Sequence, residues 1–151
     1  MKRTYVPLLV VLLAALTASA IENGPPPAHA ANFQSVYLRK TKLGKILVNT
    51  AGTTLFEFTK DTPKKDTCAK QVGCTAKWLP QPETGKPTGG PGVHASLLST
   101  IGVLGERQLT YAGHPLYIDI NTTKPGETSY VGTKEFGGSW DAINAKGHAV
   151  K

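Results

Sequence analysis

The sequence lacks the short motifs that identify the common catalytic chemistries. Its 151 residues contain no Gly-x-Ser-x-Gly elbow, no His-Glu-x-x-His, no glycine-rich phosphate loop with lysine and no Cys-x-x-Cys. Aromatic residues make up only 7% of the chain. The two clusters of basic residues, at 39–45 and 60–65, contain no interleaved aromatics, so nucleic-acid binding is not expected. No catalytic residue is assigned, and an enzyme is the less favoured interpretation.

Long hydrophobic runs are also missing, apart from one at the start of the chain. Val6–Leu16 follows a positively charged start and precedes Ala18-Ser19-Ala20, the small-x-small pattern of a signal-peptidase site. Spanning a bilayer takes about 20 apolar residues, so residues 1–20 are predicted to be a signal peptide rather than a retained anchor. Cleavage after Ala30 is the alternative. No cysteine follows the run to carry a lipid, and we expect an exported protein, periplasmic or extracellular, without a stable membrane span.

Only two cysteines are present, Cys68 and Cys74. In an exported protein the default for such a pair is a disulfide, which would close a short loop and contribute about 2.4 kcal/mol in the chain-entropy model. A metal site is the alternative, but zinc takes four ligands, or three and water, and no histidine lies near the pair in sequence. We predict a structural disulfide and no cofactor.

The chain carries a moderate excess of positive charge. The net charge of +7 falls to +5 when residues 1–20 are removed, because they hold two basic and no acidic residues. Two clusters contain much of it: Arg39, Lys40, Lys42 and Lys45, and Lys60, Lys64 and Lys65. Such a surface favours an anionic envelope component as partner. Another envelope protein as partner, or a charge that serves only solubility, are the alternatives.

Proline and glycine divide the chain into segments. Residues 21–34 are predicted to be a disordered lead-in, and the stretch between residues 80 and 92 is too rich in both residue types for a helix or a central strand. We therefore expect one β domain over residues 35–151, made of two repeats at about 35–80 and 93–150.

The two halves resemble each other at a spacing of about 61 residues. Four residues of the first half have a counterpart in the second: Gly52 with Gly113, Leu55 with Leu116, Phe56 with Tyr117, and Trp78 with Trp140. Each half is predicted to form a strand, a glycine turn and a second strand. Each is also expected to bury its own tryptophan, which gives two tryptophan-centred clusters.

Hydrophobic periodicity predicts strands and almost no helix. Alternating or β-branched runs indicate strands at Lys45–Asn49, Leu55–Phe58, Leu109–Tyr111 and Leu116–Ile120, with an early strand at Val36–Arg39. Ser96–Val103 fits either a strand or a helical turn, and Thr75–Trp78 fits one helical turn. The predicted class is all-β, a small sandwich or two packed β-meanders with at most short helical turns.

Several spaced segments resemble one known family. The run Leu55–Asp61, the cysteines that follow and Trp78-Leu79-Pro80 are similar to the bacterial secreted repeat of unknown function, whose members carry a Tyr-x-aromatic-x-x-Asp motif. Leu109–Tyr117 and Phe136–Trp140 resemble its later segment. The resemblance implies an envelope or extracellular location and a tandem repeat, and it implies no activity.

The motif is intact in neither repeat. Phe56 stands where the family prefers tyrosine, so a phenolic hydroxyl is missing from the first repeat. In the second repeat Asp119 replaces the aromatic residue and Thr122 replaces the aspartate. Many relatives also carry a lipid-anchor cysteine, which this chain lacks.

Four residues are the candidate binding site. Asp61 is able to bind a cation or act as a base, and the alternative is that it caps the turn Asp61-Thr62-Pro63. His114, beside a turn and near Tyr117 and Asp119, has the chemistry to hold a transition metal or shuttle protons. Turn histidines without such a role and tyrosines that serve the core are the alternatives.

Three functions follow from these residues. The leading hypothesis is an exported, non-catalytic module that binds a ligand or partner at the loop edge bearing His114 and Asp119. A protein that binds a metal or redox cofactor through His114 is the first alternative, and a hydrolase of unrecognised type is the second.

Overall fold

The computed structural model describes residues 35–151, so the predicted signal peptide and lead-in lie outside the described residues. The described part is mostly β, as predicted. Its strands are β1 (Val36–Thr41), β2 (Gly44–Asn49), β3 (Phe56–Phe58), β4 (Trp78–Pro80), β5 (Leu98–Val103), β6 (Glu106–Tyr111), β7 (His114–Pro115), β8 (Tyr117–Asp119), β9 (Thr133–Glu135), β10 (Gly138–Ile143) and β11 (Ala149–Val150). One short helix, α1 (Cys74–Lys77), and 3-10 turns at Cys68–Lys70 and Ala95–Leu97 complete the elements.

Two antiparallel hairpins have the same register. In the first, β1 pairs with β2 from Val36 opposite Asn49 to the turn. In the second, β5 pairs with β6 from Leu98 opposite Tyr111. Each residue of the second hairpin therefore stands 62 positions after its counterpart in the first. The early strand is confirmed, and the ambiguous segment before residue 104 is a short 3-10 turn followed by β5.

The turn that follows each hairpin contains a glycine with positive φ. Gly52 has φ of 81° and Gly113 has φ of 85°, a region that glycine enters without steric cost. Ala112 and Gly113 form a tight turn between β6 and β7. The corresponding loop in the first repeat is one residue longer, and there the pairing is reduced to a single bridge, Val48 with Thr54. The predicted strand–turn–strand unit is therefore wider in the first repeat.

The central sheet mixes strands from the two repeats. Its order is β11-β10-β3-β8-β4, with β9 also paired to β10. β3 of the first repeat pairs with β10 of the second, and β8 of the second pairs with β4 of the first. At the middle of the sheet the equivalent residues Phe56 and Tyr117 face each other. Each repeat thus completes the sheet of the other.

Each face of the central sheet contacts its own hydrophobic core. Core 1 lies between this sheet and the hairpins and consists of Val36, Leu47, Leu55, Leu109, Tyr111, Leu116 and Ile143. Core 2 lies on the opposite face and consists of Phe56, Phe58, Cys68, Cys74, Trp78, Tyr117 and Trp140. Neighbouring residues such as Leu55 and Phe56 enter different cores because successive side chains of a strand point to opposite faces.

The prediction of two tryptophan-centred clusters is wrong. Trp78 and Trp140 stack on each other, with ring centroids 4.1 Å apart and planes 1° apart, in one shared core. Phe58 stacks on Trp140, and Tyr117 meets the same ring edge-on. Because β4 and β10 flank the β3–β8 pair symmetrically, equivalent indoles from the two repeats meet instead of anchoring separate halves.

Candidate functional site

Two of the predicted site residues form a hydrogen bond across the repeats. The Tyr117 hydroxyl donates to Oδ2 of Asp61 at 2.7 Å. The other carboxylate oxygen, Oδ1, accepts the backbone N–H of Thr67 at 2.7 Å and its hydroxyl at 2.8 Å. Asp61 therefore closes the loop that extends to Thr67, which is longer than the three-residue turn that we considered.

The repeat relationship explains why this bond occurs once. The residue equivalent to Tyr117 in the first repeat is Phe56, which has no hydroxyl, and the residue equivalent to Asp61 in the second repeat is Thr122. The Thr122 hydroxyl oxygen is buried and has no hydrogen-bond partner among the described residues. At these equivalent positions the chain thus has one tyrosine, Tyr117, and one aspartate, Asp61. The pairing of strands from different repeats brings these two residues together.

Burial shapes the electrostatics of this pair. Loss of solvent raises the pKa of the Asp61 carboxyl, and the hydrogen bonds from Thr67 and Tyr117 partly offset that rise. Burial together with the neighbouring Asp61 charge raises the pKa of the Tyr117 hydroxyl far above its usual range. Tyr117 therefore remains a donor at every physiological pH. The charge of Asp66, in the same loop, raises the pKa of both groups further.

His114 contacts a carboxylate that the sequence did not single out. Its Nδ1 lies 2.8 Å from Oε2 of Glu57, a buried residue of β3, while the imidazole itself keeps 42% of its surface exposed. The close contact with the Glu57 carboxylate is the main cause of the raised His114 pKa, which the charge of Asp61 also favours. The contribution of this pair to stability is complete below the ordinary histidine pKa and is lost as the pH rises through the raised value.

Glu57 has a second acidic residue directly opposite. Asp141 on β10 is its cross-strand partner, and both side chains are buried. The Ser139 hydroxyl donates to Oδ1 of Asp141 at 2.9 Å, and the Lys151 ammonium lies 3.8 Å from Oδ2. Glu57 stands between two core aromatics in the Phe-Glu-Phe run, so the period of a strand predicts its opposite orientation. Its contacts with Asp141 and His114 could not be predicted from the sequence and are seen only in the folded structure.

Asp119 lies apart from the other three predicted residues. It is buried opposite Trp78 in the central sheet, and its Oδ1 accepts the backbone N–H of Asn121 at 2.8 Å. The indole N–H of Trp78 donates to Glu135 at 2.9 Å, and that carboxylate also binds the Lys77 ammonium. The structure thus brings Asp61, Tyr117 and His114 to one region and places Asp119 in the surroundings of Trp78.

The predicted disulfide is present. Cys68 and Cys74 are bonded and fully buried in core 2. The bond joins the 3-10 turn to α1 and thereby fixes the segment that leads to Trp78. Across residues 35–151, no three His, Cys, Asp or Glu side chains are grouped so that they could hold a metal ion. Nor does any helix in that range have the length and apolar character needed to cross a bilayer.

Charged side chains are distributed unevenly between surface and interior. Every lysine and arginine of residues 35–151 is exposed except the half-buried Lys77, whereas Glu106 is the one exposed carboxylate in that range. Four acidic residues are buried: Glu57, Asp66, Asp119 and Asp141. The exposed surface is therefore more cationic than the net charge indicates.

Lysines from the first basic cluster face each other across a hairpin. Lys40 and Lys45 are directly opposed partners of β1 and β2, and Lys42 lies in the connecting turn. The ion pairs of the described residues involve Lys77, His114 and Lys151, so none reaches these three lysines. The spacing of the cluster was visible in the sequence, but the opposition of Lys40 and Lys45 depends on the hairpin register.

Comparison with known proteins gives one match. Residues 38–81 match the model of a family described as a secreted repeat of unknown function. No curated protein and no solved structure matches the chain. The matched residues run from β1 to just past β4 and include the first hairpin, Asp61, the disulfide and Trp78. Residues 38–81 thus match a secreted repeat family of unknown function, and the name of that family is consistent with export.

Proposed function

We propose that the protein is an exported, non-catalytic module whose cationic surface binds an anionic component of the cell envelope. The observation that carries this proposal is the separation of charge by depth. Lysines and arginines are exposed and mostly lack an ion pair, whereas most carboxylates are buried, paired or half-buried. A surface of this kind attracts polyanions and raises their local concentration.

The contacts of the candidate site residues support a structural role for them. Both oxygens of Asp61 accept hydrogen bonds, the Tyr117 hydroxyl donates one of them, and Asp119 lies within the sheet. His114 keeps 42% of its side chain exposed, and its Nδ1 faces Glu57. We therefore assign binding to the lysine-rich surface, and we assign maintenance of the fold to the interior polar contacts.

Binding to defined polymers tests this proposal. The purified exported protein is titrated with polyglutamate, inorganic polyphosphate and neutral dextran at low and at high salt. We expect binding to both polyanions and none to dextran. The affinity should fall steeply with ionic strength, since about 0.7 counterions are released for each phosphate neutralised on a flexible chain.

Two results would contradict the proposal. One is the absence of polyanion binding at low salt, where exposed charges interact most strongly. The other is an affinity that does not change with salt, because that would assign the contact to a pocket and not to the charged surface.

A further inference from the structure

We propose that the end of the β1–β2 hairpin is a specific site for a linear phosphate polymer, with Lys40, Lys42 and Lys45 as its ligands. We call these three residues the lysine tip. This inference rests on the proposed function and goes further, because it names one surface and one ligand class. It follows from the geometry of the hairpin and from a comparison with the second hairpin of the same chain.

The lysine tip holds like charges at short range without compensation. Lys40 and Lys45 are directly opposite in an antiparallel pair, a position where side chains start about 5 Å apart and like charges destabilise the sheet. No aspartate or glutamate occurs between Ser35 and Phe56. An anion bound between the two ammonium groups would remove this repulsion.

The second hairpin shows that the fold does not require three cations at a hairpin tip. The residues that correspond to Lys40, Lys42 and Lys45, 62 positions later, are Gly102, Leu104 and Arg107, and Glu106 stands beside Arg107. That hairpin has the same strand lengths and the same register, although its tip holds one cation instead of three and pairs Arg107 with the uncharged Gly102. Lys40 and Lys42 are therefore not needed for a hairpin of this kind to form, and we ascribe the three-lysine cluster to a ligand.

The turn of the lysine tip is held in one conformation before any ligand binds. The Thr41 hydroxyl donates to the carbonyl oxygen of Gly44 at 2.9 Å and accepts the backbone N–H of Leu43 at 3.1 Å. Gly44 has φ of 96°, which completes the reversal at no steric cost. A fixed turn limits the entropy lost when a polymer binds.

Phosphate fits this arrangement better than carboxylate. A tetrahedral phosphate offers oxygens in several directions, so one group can accept hydrogen bonds from two opposed ammonium ions. The fork of arginine binds carboxylates and phosphates alike in a bidentate way, whereas lysine binds phosphate as a point charge. The one arginine of the hairpin, Arg39, points to the other face of β1 and packs against Gly126. The tip itself thus offers only lysine.

The surroundings of the tip favour a soluble polymer over a membrane or a nucleic acid. Leu43 is half-buried, and the large exposed apolar residues of the described chain lie elsewhere: Val72, Leu79, Leu104 and Ile120. A membrane-inserting tip would present such a residue. No tyrosine, phenylalanine or tryptophan of residues 35–151 is exposed, so this surface lacks the stacking platform used by proteins that bind single strands.

A pair of charge-matched triple variants tests the site. One variant replaces the tip by Lys40→Gln, Lys42→Gln and Lys45→Gln. The control carries Lys60→Gln, Lys64→Gln and Lys65→Gln, which removes the same charge from a second exposed cluster. That second cluster adjoins the carboxylates Asp61 and Asp66, which offset its field. Inorganic polyphosphate is titrated into both variants and into the unchanged protein.

We expect the tip variant to lose at least about tenfold in polyphosphate affinity, and its salt slope to fall by about 2, since each lost contact removes roughly 0.7. The control should lose less than about threefold, because only diffuse attraction is reduced. Thermal unfolding of the free tip variant should occur at the same or a higher temperature, which separates lost binding from lost folding.

Other outcomes would overturn the inference in distinct ways. Equal losses in the two variants would leave a diffuse cationic surface, so the proposed function would stand without the lysine tip. Equal affinity for polyglutamate, for vesicles of anionic lipid or for single-stranded DNA at matched charge would reject the phosphate polymer as the ligand. If the unchanged protein bound no polyanion, the proposed function itself would fail.

Discussion

The two repeats share a backbone plan and differ in where they place polar chemistry. The first repeat has lysines at its hairpin tip, a disulfide before its tryptophan and Asp61 after β3. The second has Leu104 at its hairpin tip, aromatic residues in place of the cysteines, and Tyr117 on β8. The difference shows that strand pairing and the shared cores specify the fold, whereas the loops are free to diverge. Each prediction below tests one part of this comparison.

The largest effect is expected at the stacked tryptophans. Trp78→Ala or Trp140→Ala should each cost about 3–5 kcal/mol of the free energy of unfolding, because a fully buried indole is lost. The two rings contact each other, so the double variant should cost clearly less than the sum of the two losses. Urea denaturation of the three variants measures this coupling.

The indole N–H groups of the two tryptophans differ in their hydrogen bonding. Trp78 donates to Glu135, whereas the N–H of Trp140 has no hydrogen-bond partner among the described residues. Trp78→Phe should therefore be less stable than Trp140→Phe by about 1 kcal/mol. If the stability losses of the two alanine variants added up exactly in the double variant, the tryptophans would not be coupled. Equal stabilities of the two phenylalanine variants would contradict the difference in their N–H hydrogen bonds.

The disulfide is the next largest difference between the repeats. At the positions that correspond to Cys68 and Cys74, the second repeat has Tyr130 and Phe136, which pack against core 2 without a covalent bond. Cys68→Ala with Cys74→Ala should lower stability by about 2.4 kcal/mol. Reduction of the unchanged protein should lower its unfolding temperature in a comparable way. An unaltered unfolding temperature in reductant would show that the bond contributes nothing.

The hydrogen bond between the repeats should have a smaller, pH-dependent effect. Tyr117→Phe makes the second repeat match Phe56 and should cost about 1–3 kcal/mol, because a partly buried carboxylate oxygen loses its donor. Since the pKa of Asp61 is raised by burial, ionised Asp61 destabilises the fold progressively as the pH rises from its ordinary pKa through the raised one.

Loss of the Tyr117 donor should raise the pKa of Asp61 further, because that hydrogen bond lowers it. The stability deficit of Tyr117→Phe should therefore be larger at pH 7 than at pH 4, as measured by thermal unfolding at both values. Tyr130→Phe is the matched control, since its hydroxyl makes only an exposed contact of 3.5 Å. A stability deficit that does not depend on pH would show that the ionisation of Asp61 is not coupled to this hydrogen bond.

The smallest effect is expected at the second hairpin tip, where a substitution should stabilise the protein. Leu104 has φ of 52° and is 71% exposed, a backbone region that bulky residues avoid and asparagine tolerates. Leu104→Asn should raise stability by about 0.5–1 kcal/mol. The equivalent Lys42→Asn should give no such gain, because Lys42 is not among the positive-φ residues. Equal shifts in unfolding temperature would contradict this difference.

Local features of the fold could be predicted from the sequence because they depend on near neighbours. Alternation of apolar residues indicated β1 and β2, glycines marked the turns, and the close spacing of Cys68 and Cys74 in an exported chain indicated the disulfide. Strand exchange could not be predicted. Period-2 patterns show which face of a strand is buried and do not identify its partner, so each tryptophan was assigned to its own half.

The candidate site was predictable only in part for the same reason. Asp61 and Tyr117 were recognisable as isolated polar positions in a strand-rich chain, and their contact depends on β3 lying next to β8. Glu57 was identifiable as an acid on the opposite face of β3 from its two aromatic neighbours, but its partner His114 is 57 residues away in sequence. The opposition of Lys40 and Lys45 likewise needed the register of the hairpin.

The interleaving of β3, β10, β8 and β4 has a consequence for how the unit is built. A polypeptide with one copy would leave β3 without a neighbour on either side, and a second such chain would supply both missing strands by two-fold rotation. The present chain is in effect a dimer joined end to end by the proline- and glycine-rich connection. Its two fragments, cut within that connection, would be expected to recognise each other and reassemble.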